Sequence, residues 1–568
     1  MNTRLYDRPW RATPPERLGE LIGDHTSSKT LRGFFGSVAA LEERFNLTPL
    51  RDGKTAVNLP AANGETPPLE SLVFSRLAFG PRPADVDTFR GMGATPRERL
   101  ENWLEVQLDP ETIADDEFDT RLSQSNYLTL EKNLFDLWND HAREEEDFDY
   151  HMLPIYETQH AVILRATYSR RQLAEVLADF WHNHFNVFGW HFFSGPLFVH
   201  YDRDVIRTNM LGNFRQFIED MTAAPAMLFY LDNFFSSADG PNENFAREVL
   251  ELHTFGEENY YGAIPASEVP RGTDDVPLGY TDEDVREFAR CLTGWSIDEN
   301  TGSFLYRDYW HDDGPKSVLG LDIPAGQQAL KDVQDVFDLL ATRPGVARFV
   351  CTKLCRRLVA DNPPESLVDA ASEVFLANTD QSDQLERVVR AIVLSDEFAE
   401  TWGDKVRRPF ELVIGAVRSM NPTFSLPLAA DFSRYVFWLL YTTGHFPYTW
   451  PPPTGFPDRK EIWLTTNALV TSWRLTNLLA GLELDGWRPC DPVAATPVGL
   501  RSAAELADYW IDRTLLRSID EPSRQAIIDF MAQGKNPDAQ LNLGSRVIKD
   551  RLRSMVGLVL MSPEFHWR

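Results

Sequence analysis

The stretch Asp239-Gly-Pro-Asn-Glu-Asn-Phe-Ala-Arg-Glu-Val-Leu-Glu-Leu-His-Thr-Phe-Gly256 predicts one amphipathic helix around which the rest of the chain is organised. Pro241 is typical of the first turn of a helix, because a proline there loses no hydrogen bond. Gly256 is typical of a helix end, because glycine adopts the left-handed backbone that closes many helices. The sequence therefore predicts a helix bounded by these two residues.

The two faces of this predicted helix differ in chemistry. At about 100° per residue, one narrow arc contains Asn244, Glu248, Glu251 and Phe255. The opposite arc is apolar and contains His253, so we expect this imidazole to be buried. Two carboxylates one turn apart can bind a metal ion, or one of them with a raised pKa can act as an acid or base. The alternative is a solvated face on which Arg247 pairs with Glu243 and Glu251.

Six of the twelve histidines lie within residues 151–200, and the centre of this cluster is Phe180-Trp-His-Asn-His-Phe-Asn-Val187. The apolar stripe that precedes it predicts a helix at least to His184. His182 and His184 can share a metal ion in an extended segment, but in a helix they point about 160° apart. Two alternatives remain: a shared metal site, or a helix end with one buried, hydrogen-bonded histidine.

A polar turn after the predicted helix offers a third group of side chains. His311, two aspartates and Lys316 follow one another closely and supply either ligands or an acid–base pair. The alternative is a polar surface turn. We expect the loop from Trp295 to Lys316 to lie above the polar face of the helix. In that position Trp295 and Lys316, with Asn244, would contact a substrate.

A proline-rich stretch, Trp450-Pro-Pro-Pro-Thr-Gly-Phe-Pro457, predicts a rigid turn before a helix that carries further aromatic residues. Such a turn can line a groove for sugars or peptides, or it can be a packed crossover between helices.

Helical periodicity dominates the chain and predicts an all-α protein with one large helical domain over residues 67–568. Residues 1–66, rich in Pro, Gly, Thr and Asn, predict an irregular N-terminal arm. Ser303–Arg307 and Ser317–Leu319 predict a small β-hairpin-like insertion near residues 303–320. The segment ending at Phe398 is echoed by the segment ending at Phe565, which indicates a duplicated helical unit.

Composition limits the classes of function. The chain has 568 residues, and at 43% hydrophobic it can bury a large core. Its net charge of −29 excludes nucleic acid and anionic membrane as main partners, because both require a positive surface. No apolar run approaches the roughly 20 residues that a membrane span needs. The first ten residues contain no apolar core, so we expect a cytoplasmic protein.

Several motifs together resemble the bacterial family called domain of unknown function 1800, over about residues 69–568. They are Phe180-Trp-His-Asn-His-Phe185, Asn242–Gly256, Gly279-Tyr-Thr-Asp-Glu-Asp-Val-Arg-Glu-Phe-Ala-Arg-Cys-Leu-Thr-Gly-Trp295, His311-Asp-Asp-Gly-Pro-Lys-Ser-Val-Leu-Gly320 and Ser562-Pro-Glu-Phe565. The resemblance implies a large helical protein, often encoded beside a sulfatase-like partner and commonly exported, so a periplasmic or exported location stays open. It implies no activity. This chain has Gly455-Phe-Pro457 where the family usually has Gly-Trp-Pro.

Two hypotheses follow. In the first, the protein is a hydrolase that uses a divalent metal ion on an oxygen-rich substrate such as a carbohydrate. Its predicted metal ligands are His182, His184, Glu248 and Glu251, and its predicted catalytic residues are Glu248, Glu251 and His311. Its predicted substrate-binding residues are Asn244, Trp295 and Lys316. In the second, the protein is a non-catalytic scaffold for the sulfatase-like neighbour, and the polar residues form a structural hydrogen-bond network.

Overall fold

The computed structural model describes residues 66–143, 147–272, 276–328, 330–484 and 486–568. Helices form nearly all the regular structure of these residues, which confirms the predicted all-α class. All of them fall within one unit, Val57–Arg568. The predicted N-terminal arm, residues 1–66, lies outside the described residues except for its last position.

The first half of the chain is a series of helices joined by short turns. Its α-helices are Leu69–Arg76, Pro83–Arg90, Pro96–Leu108, Asp116–Ser125, Leu134–Leu137, Phe148–His151, Leu153–Tyr168, Gln172–His184, Phe198–His200, Arg207–Asn209, Phe214–Ala223, Pro225–Tyr230, Glu243–Glu248 and Asp282–Cys291. Three segments are π-helical: Trp138–Ala142, Tyr201–Ile206 and Val249–Thr254. Short 3₁₀ turns, among them Asn233–Phe235, Glu257–Asn259 and Asp308–Trp310, complete this half.

Two small antiparallel hairpins interrupt the helices. Strand β1 (Trp295–Ile297) pairs with β2 (Phe304–Tyr306), and β3 (Lys316–Val318) pairs with β4 (Leu321–Ile323). The β insertion is thus confirmed, and both predicted strands are present. The two predicted strands, β2 and β3, do not pair with each other. Each pairs instead with a three-residue strand close to it in sequence, β2 with β1 and β3 with β4.

The second half returns to α-helices. They are Lys331–Ala341, Pro344–Leu358, Glu365–Ala377, Gln384–Val393, Asp396–Glu400, Pro409–Ser419, Asp431–Thr442, Lys460–Trp463, Thr466–Gly481, Pro492–Ala495, Ala503–Leu515, Glu521–Ala532, Arg546–Leu560 and Pro563–His566. None of the helices in the described ranges is long and apolar enough to cross a membrane.

The two echoed sequence segments have the same local structure. In each, a long helix is followed by a serine N-cap and a short helix that buries a phenylalanine, Phe398 in one and Phe565 in the other. Each ring also lies beneath a buried guanidinium, that of Arg76 at 5.4 Å from Phe398 and that of Arg407 at 4.4 Å from Phe565. This agreement accounts for the shared sequence pattern, while the duplication itself stays a prediction.

A buried cluster of charges lies where several helices meet. Glu411 accepts hydrogen bonds or ion pairs from Arg357 at 2.8 Å, Arg408 at 2.9 Å and Arg568 at 3.0 Å. Asp179 pairs with two of these arginines, Arg357 and Arg408. Burial alone would raise the pKa of Glu411, but the three guanidinium groups hold it well below its usual range.

We expect Glu411→Gln to destabilise the protein by about 3–5 kcal/mol, because three buried guanidinium groups would lose their central counter-charge. Urea unfolding followed by circular dichroism measures this change. The matched control is Glu521→Gln, which alters a carboxylate with 71% exposure that pairs with Arg524, and it should change stability little. Equal stability of the two variants would contradict the central role of Glu411.

Candidate functional site

The helix predicted over residues 239–256 is divided into two segments of different winding. An α-helical turn, Glu243–Glu248, is followed by the π-helical turn Val249–Thr254. The side chain of Asn242 caps the first segment by accepting a hydrogen bond from the Phe245 N–H at 3.0 Å. Gly256 closes the second with a φ of +88°, as predicted.

The π-helical turn changes which side chains share a face. Each π turn accommodates one extra residue, so later side chains are rotated relative to a straight α-helix. The sequence placed Phe255 on the same face as the glutamates, and this prediction was wrong: Phe255 is 1% exposed. His253 is fully buried, as predicted. π-helical turns are frequent at functional sites, so the residues around the start of this turn, Glu248 and Glu251, are candidates for function.

Glu248 and Glu251 stand one turn apart on the accessible side of this segment, both partly exposed. Arg247 does not neutralise them, because it pairs with Asp282 at 2.9 Å and stacks over Tyr260. Neither carboxylate forms a hydrogen bond or an ion pair within the described residues. Partial burial, with repulsion from Glu251, raises the pKa of Glu248 to about 7. Asn244 is exposed at the start of the same face.

A tyrosine that the sequence analysis missed lies beside Glu248. The Tyr230 hydroxyl donates a hydrogen bond to the Pro451 carbonyl. Burial, and then the charge of Glu248, raises the pKa of this phenol. Only proximity in the fold reveals Tyr230, because it lies on a separate helix, Pro225–Tyr230.

The proline-rich stretch forms the wall next to this tyrosine. Asn186 donates to the carbonyls of Trp450 at 3.0 Å and Pro452 at 2.8 Å. Asn183 donates to the Phe456 carbonyl at 2.8 Å and accepts from the Phe456 N–H at 2.6 Å. The segment rich in histidine and asparagine therefore fixes this loop through its asparagines.

Gly455 shows how closely the two segments approach. A Cβ atom at this position would lie 2.1 Å from the Asn183 carbonyl oxygen, and φ is +69°. Only glycine fits both conditions.

His182 belongs to a buried ion cluster and not to the glutamate face. The helix Gln172–His184 includes both histidines, so they point apart. The His182 Nε2–H donates to Asp202 at 2.8 Å, and Asp202 also pairs with Arg207 at 2.9 Å. Arg207 in turn pairs with Glu175 at 2.9 Å. Burial lowers the pKa of His182, although Asp202 partly offsets this.

His184 packs on the other side of the same helix, against His253. Its Nε2–H donates to the His253 carbonyl at 3.0 Å, so the proton sits on that nitrogen. Burial holds the pKa of His184 well below its ordinary value and lowers that of His253 to about 3. Both imidazoles are therefore neutral at physiological pH. The helix ends here as the second alternative predicts, but both His182 and His184, and not one of them, are buried and hydrogen-bonded.

The four predicted metal ligands do not form one set. His182 is bonded to Asp202 and His184 to a backbone carbonyl, while Glu248 and Glu251 face the accessible side. Among the described residues, no group of three or more His, Cys, Asp or Glu side chains is arranged to hold a metal ion.

The turn at His311 forms a separate cluster around Asp332. His311 Nε2 lies 3.2 Å from Asp332, and Lys316 Nζ donates to the same carboxylate oxygen at 2.7 Å. The other imidazole nitrogen donates to the Thr293 carbonyl at 2.9 Å. Lys316 is 5% exposed, so its ammonium serves this cluster and not the surface. No hydrogen bond joins the cluster to Glu248 or Glu251 in the described part of the chain.

Trp295 lies in the core next to this turn. It is 1% exposed and packs against Phe304 at 4.9 Å and Phe337 at 6.3 Å between ring centroids. Its role is to anchor β1, because a ring covered on both sides cannot reach a substrate. Of the predicted site residues, the structure thus brings together Asn244, Glu248 and Glu251.

These features define a large, mostly helical protein with an accessible carboxylate pair, Glu248 and Glu251. Three of its histidines, His182, His184 and His311, each form hydrogen bonds to groups within the protein. The chain belongs to the family described as "Protein of unknown function (DUF1800)", whose profile matches residues 72–567. No curated protein and no solved structure matches it.

We expect the stability provided by His311 to depend on pH. Burial lowers its pKa, but the hydrogen bonds to Asp332 and Thr293 outweigh this effect and the net pKa is raised above 6.5. The protonated form is thus favoured in the folded state, and its contribution is complete below pH 6.5. It should be lost as the pH rises through the raised pKa. Urea unfolding across this range measures the loss, and His311→Gln should abolish the pH dependence. If the free energy of unfolding of His311→Gln depends on pH as that of the wild type does, the pH dependence does not come from His311.

Proposed function

We propose that the protein is a hydrolase of oxygen-rich substrates, in which Glu248 is the general acid and Glu251 the paired carboxylate. The observation that carries this proposal is a half-buried carboxyl group that forms no ion pair and no hydrogen bond in the part of the chain that the structure describes. With a pKa of about 7, it is substantially protonated at physiological pH and can donate a proton to a leaving group.

The surroundings of Glu248 support binding of a polar substrate with flat faces, such as a carbohydrate. Tyr230 is partly exposed beside Glu248, and the exposed Asn244 forms no hydrogen bond through its amide among the described residues. Aromatic rings can stack on the apolar faces of a sugar while amide and carboxylate groups bind its hydroxyls. Asn183 and Asn186 hold the loop 450–457, which forms the wall next to Tyr230, in place through hydrogen bonds to its backbone.

A divalent metal ion at Glu248 and Glu251 is the metal-assisted form of the same proposal. Carboxylate oxygens suit Mg²⁺, Mn²⁺ and Ca²⁺, and a site of this kind completes its shell with water and substrate. The metal would supply Lewis-acid activation of the substrate. Because it would compete with the proton on Glu248, it should bind more tightly as the pH rises through about 7.

We expect Glu248→Gln to lower hydrolysis by about 100-fold or more, since the amide cannot donate the catalytic proton. The measurement is turnover of a panel of chromogenic glycosides below and above pH 7, with and without added Mn²⁺. Wild-type activity that needs no metal should fall as the pH rises above about 7. Glu243→Gln, an exposed change on the same helix, is the matched control. Full activity of Glu248→Gln would overturn the assignment of the general acid.

A second candidate function is that of a non-catalytic scaffold for a sulfatase-like protein. The observation that favours it is that His182 and His311 each bond to a carboxylate within the protein, Asp202 and Asp332. On this proposal Glu248 is also a structural residue.

The two candidates predict opposite effects of Glu248→Gln on stability above pH 7. A structural role requires the variant to be less stable or to lose capture of a co-expressed sulfatase-like partner. In a catalytic site, removal of the charge beside Glu251 should leave stability equal or higher, because a carboxyl with a raised pKa destabilises the fold once it ionises. Urea unfolding and co-purification measure the two outcomes.

A further inference from the structure

Lys353 has no ion-pair or hydrogen-bond partner within the described residues, although it is partly buried on the helix Pro344–Leu358. Five of the other described lysines each pair with an aspartate: Lys132, Lys316, Lys331, Lys405 and Lys460. An unpaired ammonium in a partly buried position is unfavourable, because it gives up water without a compensating charge. Lys353 is therefore a candidate for a functional amine.

The amine of Lys353 lies against aromatic rings. Its Nζ atom is 5.2 Å from the centroid of Phe349, over the face of the ring. The Phe349 ring lies 6.1 Å from that of His184, and the His184 ring lies 6.2 Å from that of His253. Both imidazoles are buried and, with their lowered pKa values, neutral. None of these rings carries a negative charge that would balance the ammonium.

The Phe349 ring is fixed beneath the amine by the backbone at Gly256. A Cβ atom on Gly256 would lie 2.5 Å from the ring, so the backbone approaches Phe349 closely. The π-helical turn Val249–Thr254, which precedes Gly256, packs against the helix Pro344–Leu358. The position of the amine over this ring is thus set by the packing of two helices and not by a flexible loop.

The electrostatic surroundings of Lys353 favour the neutral amine. Arg356 lies one helical turn further along, donates through Nε–H to the Asp361 carbonyl at 3.1 Å, and forms no ion pair with any described carboxylate. Burial, and then repulsion from Arg356, lowers the pKa of Lys353 to about 8. Asp458 and Glu258 act in the opposite direction without restoring the ordinary value. At pH 7 roughly one amine in ten is then neutral, against fewer than about one in a thousand for an ordinary lysine.

We infer that Lys353 is a nucleophilic amine that forms an imine with an aldehyde. The neutral nitrogen attacks the carbonyl carbon, and a carbon–nitrogen bond forms. The two protons of the amine leave with the carbonyl oxygen as water, so the step needs no oxidant or reductant. A desolvated lysine next to a second cation is the arrangement in which enzymes use this chemistry. The inference does not depend on the role of Glu248.

Reductive trapping of the full-length protein tests this inference. The protein is incubated at pH 7 with glycolaldehyde and sodium cyanoborohydride, and the labelling rate of each lysine is measured by peptide mass spectrometry. We expect Lys353 to be labelled at least about tenfold faster than Lys549 and Lys535. Lys549 is partly exposed and unpaired, as Lys353 is, while Lys535 is exposed and unpaired, so the two control for access to solvent. A rate at Lys353 no higher than that at Lys549 would overturn the inference.

Arg356→Gln tests the cause of the reactivity. Without the neighbouring charge the amine holds its proton more tightly, so labelling of Lys353 at pH 7 should slow by about threefold or more. Arg348→Gln changes an exposed residue on the same helix that pairs with Asp369 at 2.6 Å, and it should leave the rate unchanged. Circular dichroism verifies that both variants fold. Equal labelling of the wild type and Arg356→Gln would overturn the role of Arg356. The comparison of Lys353 with Lys549 in the wild type needs no variant and decides the inference itself.

Discussion

The fold depends on one buried carboxylate, that of Glu411, and on the three arginines that surround it. Two of the partners come from distant parts of the chain, Arg357 from the helix Pro344–Leu358 and Arg568 from the last position of the sequence. The third, Arg408, is the N-cap of the helix that contains Glu411. A buried ion cluster of this kind carries a large desolvation penalty, so it adds little net stability compared with an apolar core. Its effect is on specificity, because each charge is tolerated only in the arrangement that supplies its partners.

The same cluster sets the position of the candidate site. Asp179 joins Arg357 and Arg408 to the helix Gln172–His184 and therefore fixes the rotation of that helix. With this rotation, His182 faces Asp202 and His184 faces His253. At the end of the helix, Asn183 and Asn186 bond to the loop that starts at Trp450. The loop in turn receives the Tyr230 hydroxyl beside Glu248. The wall next to the carboxylates is thus a consequence of ion pairs formed elsewhere in the core.

Local sequence signals were sufficient for the helices and for the position of the two glutamates. Periodicity predicted the helix that ends at His184, and Gly256 marked the end of the next one. The sequence analysis placed Phe255 on the wrong face because residue types do not distinguish an α-helical turn from a π-helical turn. The two differ only in whether the N–H bonds to the carbonyl four or five residues earlier. β1 and β4 were missed because three-residue strands carry too short a pattern to detect.

The roles of the histidines required the three-dimensional structure for a different reason. Asp202 lies 20 residues after His182, and Asp332 lies 21 residues after His311, each across intervening turns. The sequence around a histidine does not show which carboxylate the imidazole will contact in the fold. That contact decides whether the histidine can bind a metal or instead supports a helix.

The contrast between Glu248 and the buried acids that have basic partners is a physical argument for function at this position. Asp179, Asp202, Asp332 and Glu411 all have at least one basic partner, and for each the net pKa is lowered despite burial. Arginine is abundant, so a partner for Glu248 was available, and Arg247 is its immediate neighbour. That arginine turns instead toward Asp282. The repulsion between Glu248 and Glu251 therefore persists in the folded protein at a cost to stability. Unfavourable interactions of this kind are typical of catalytic and binding sites, where residues are arranged for function at the expense of stability.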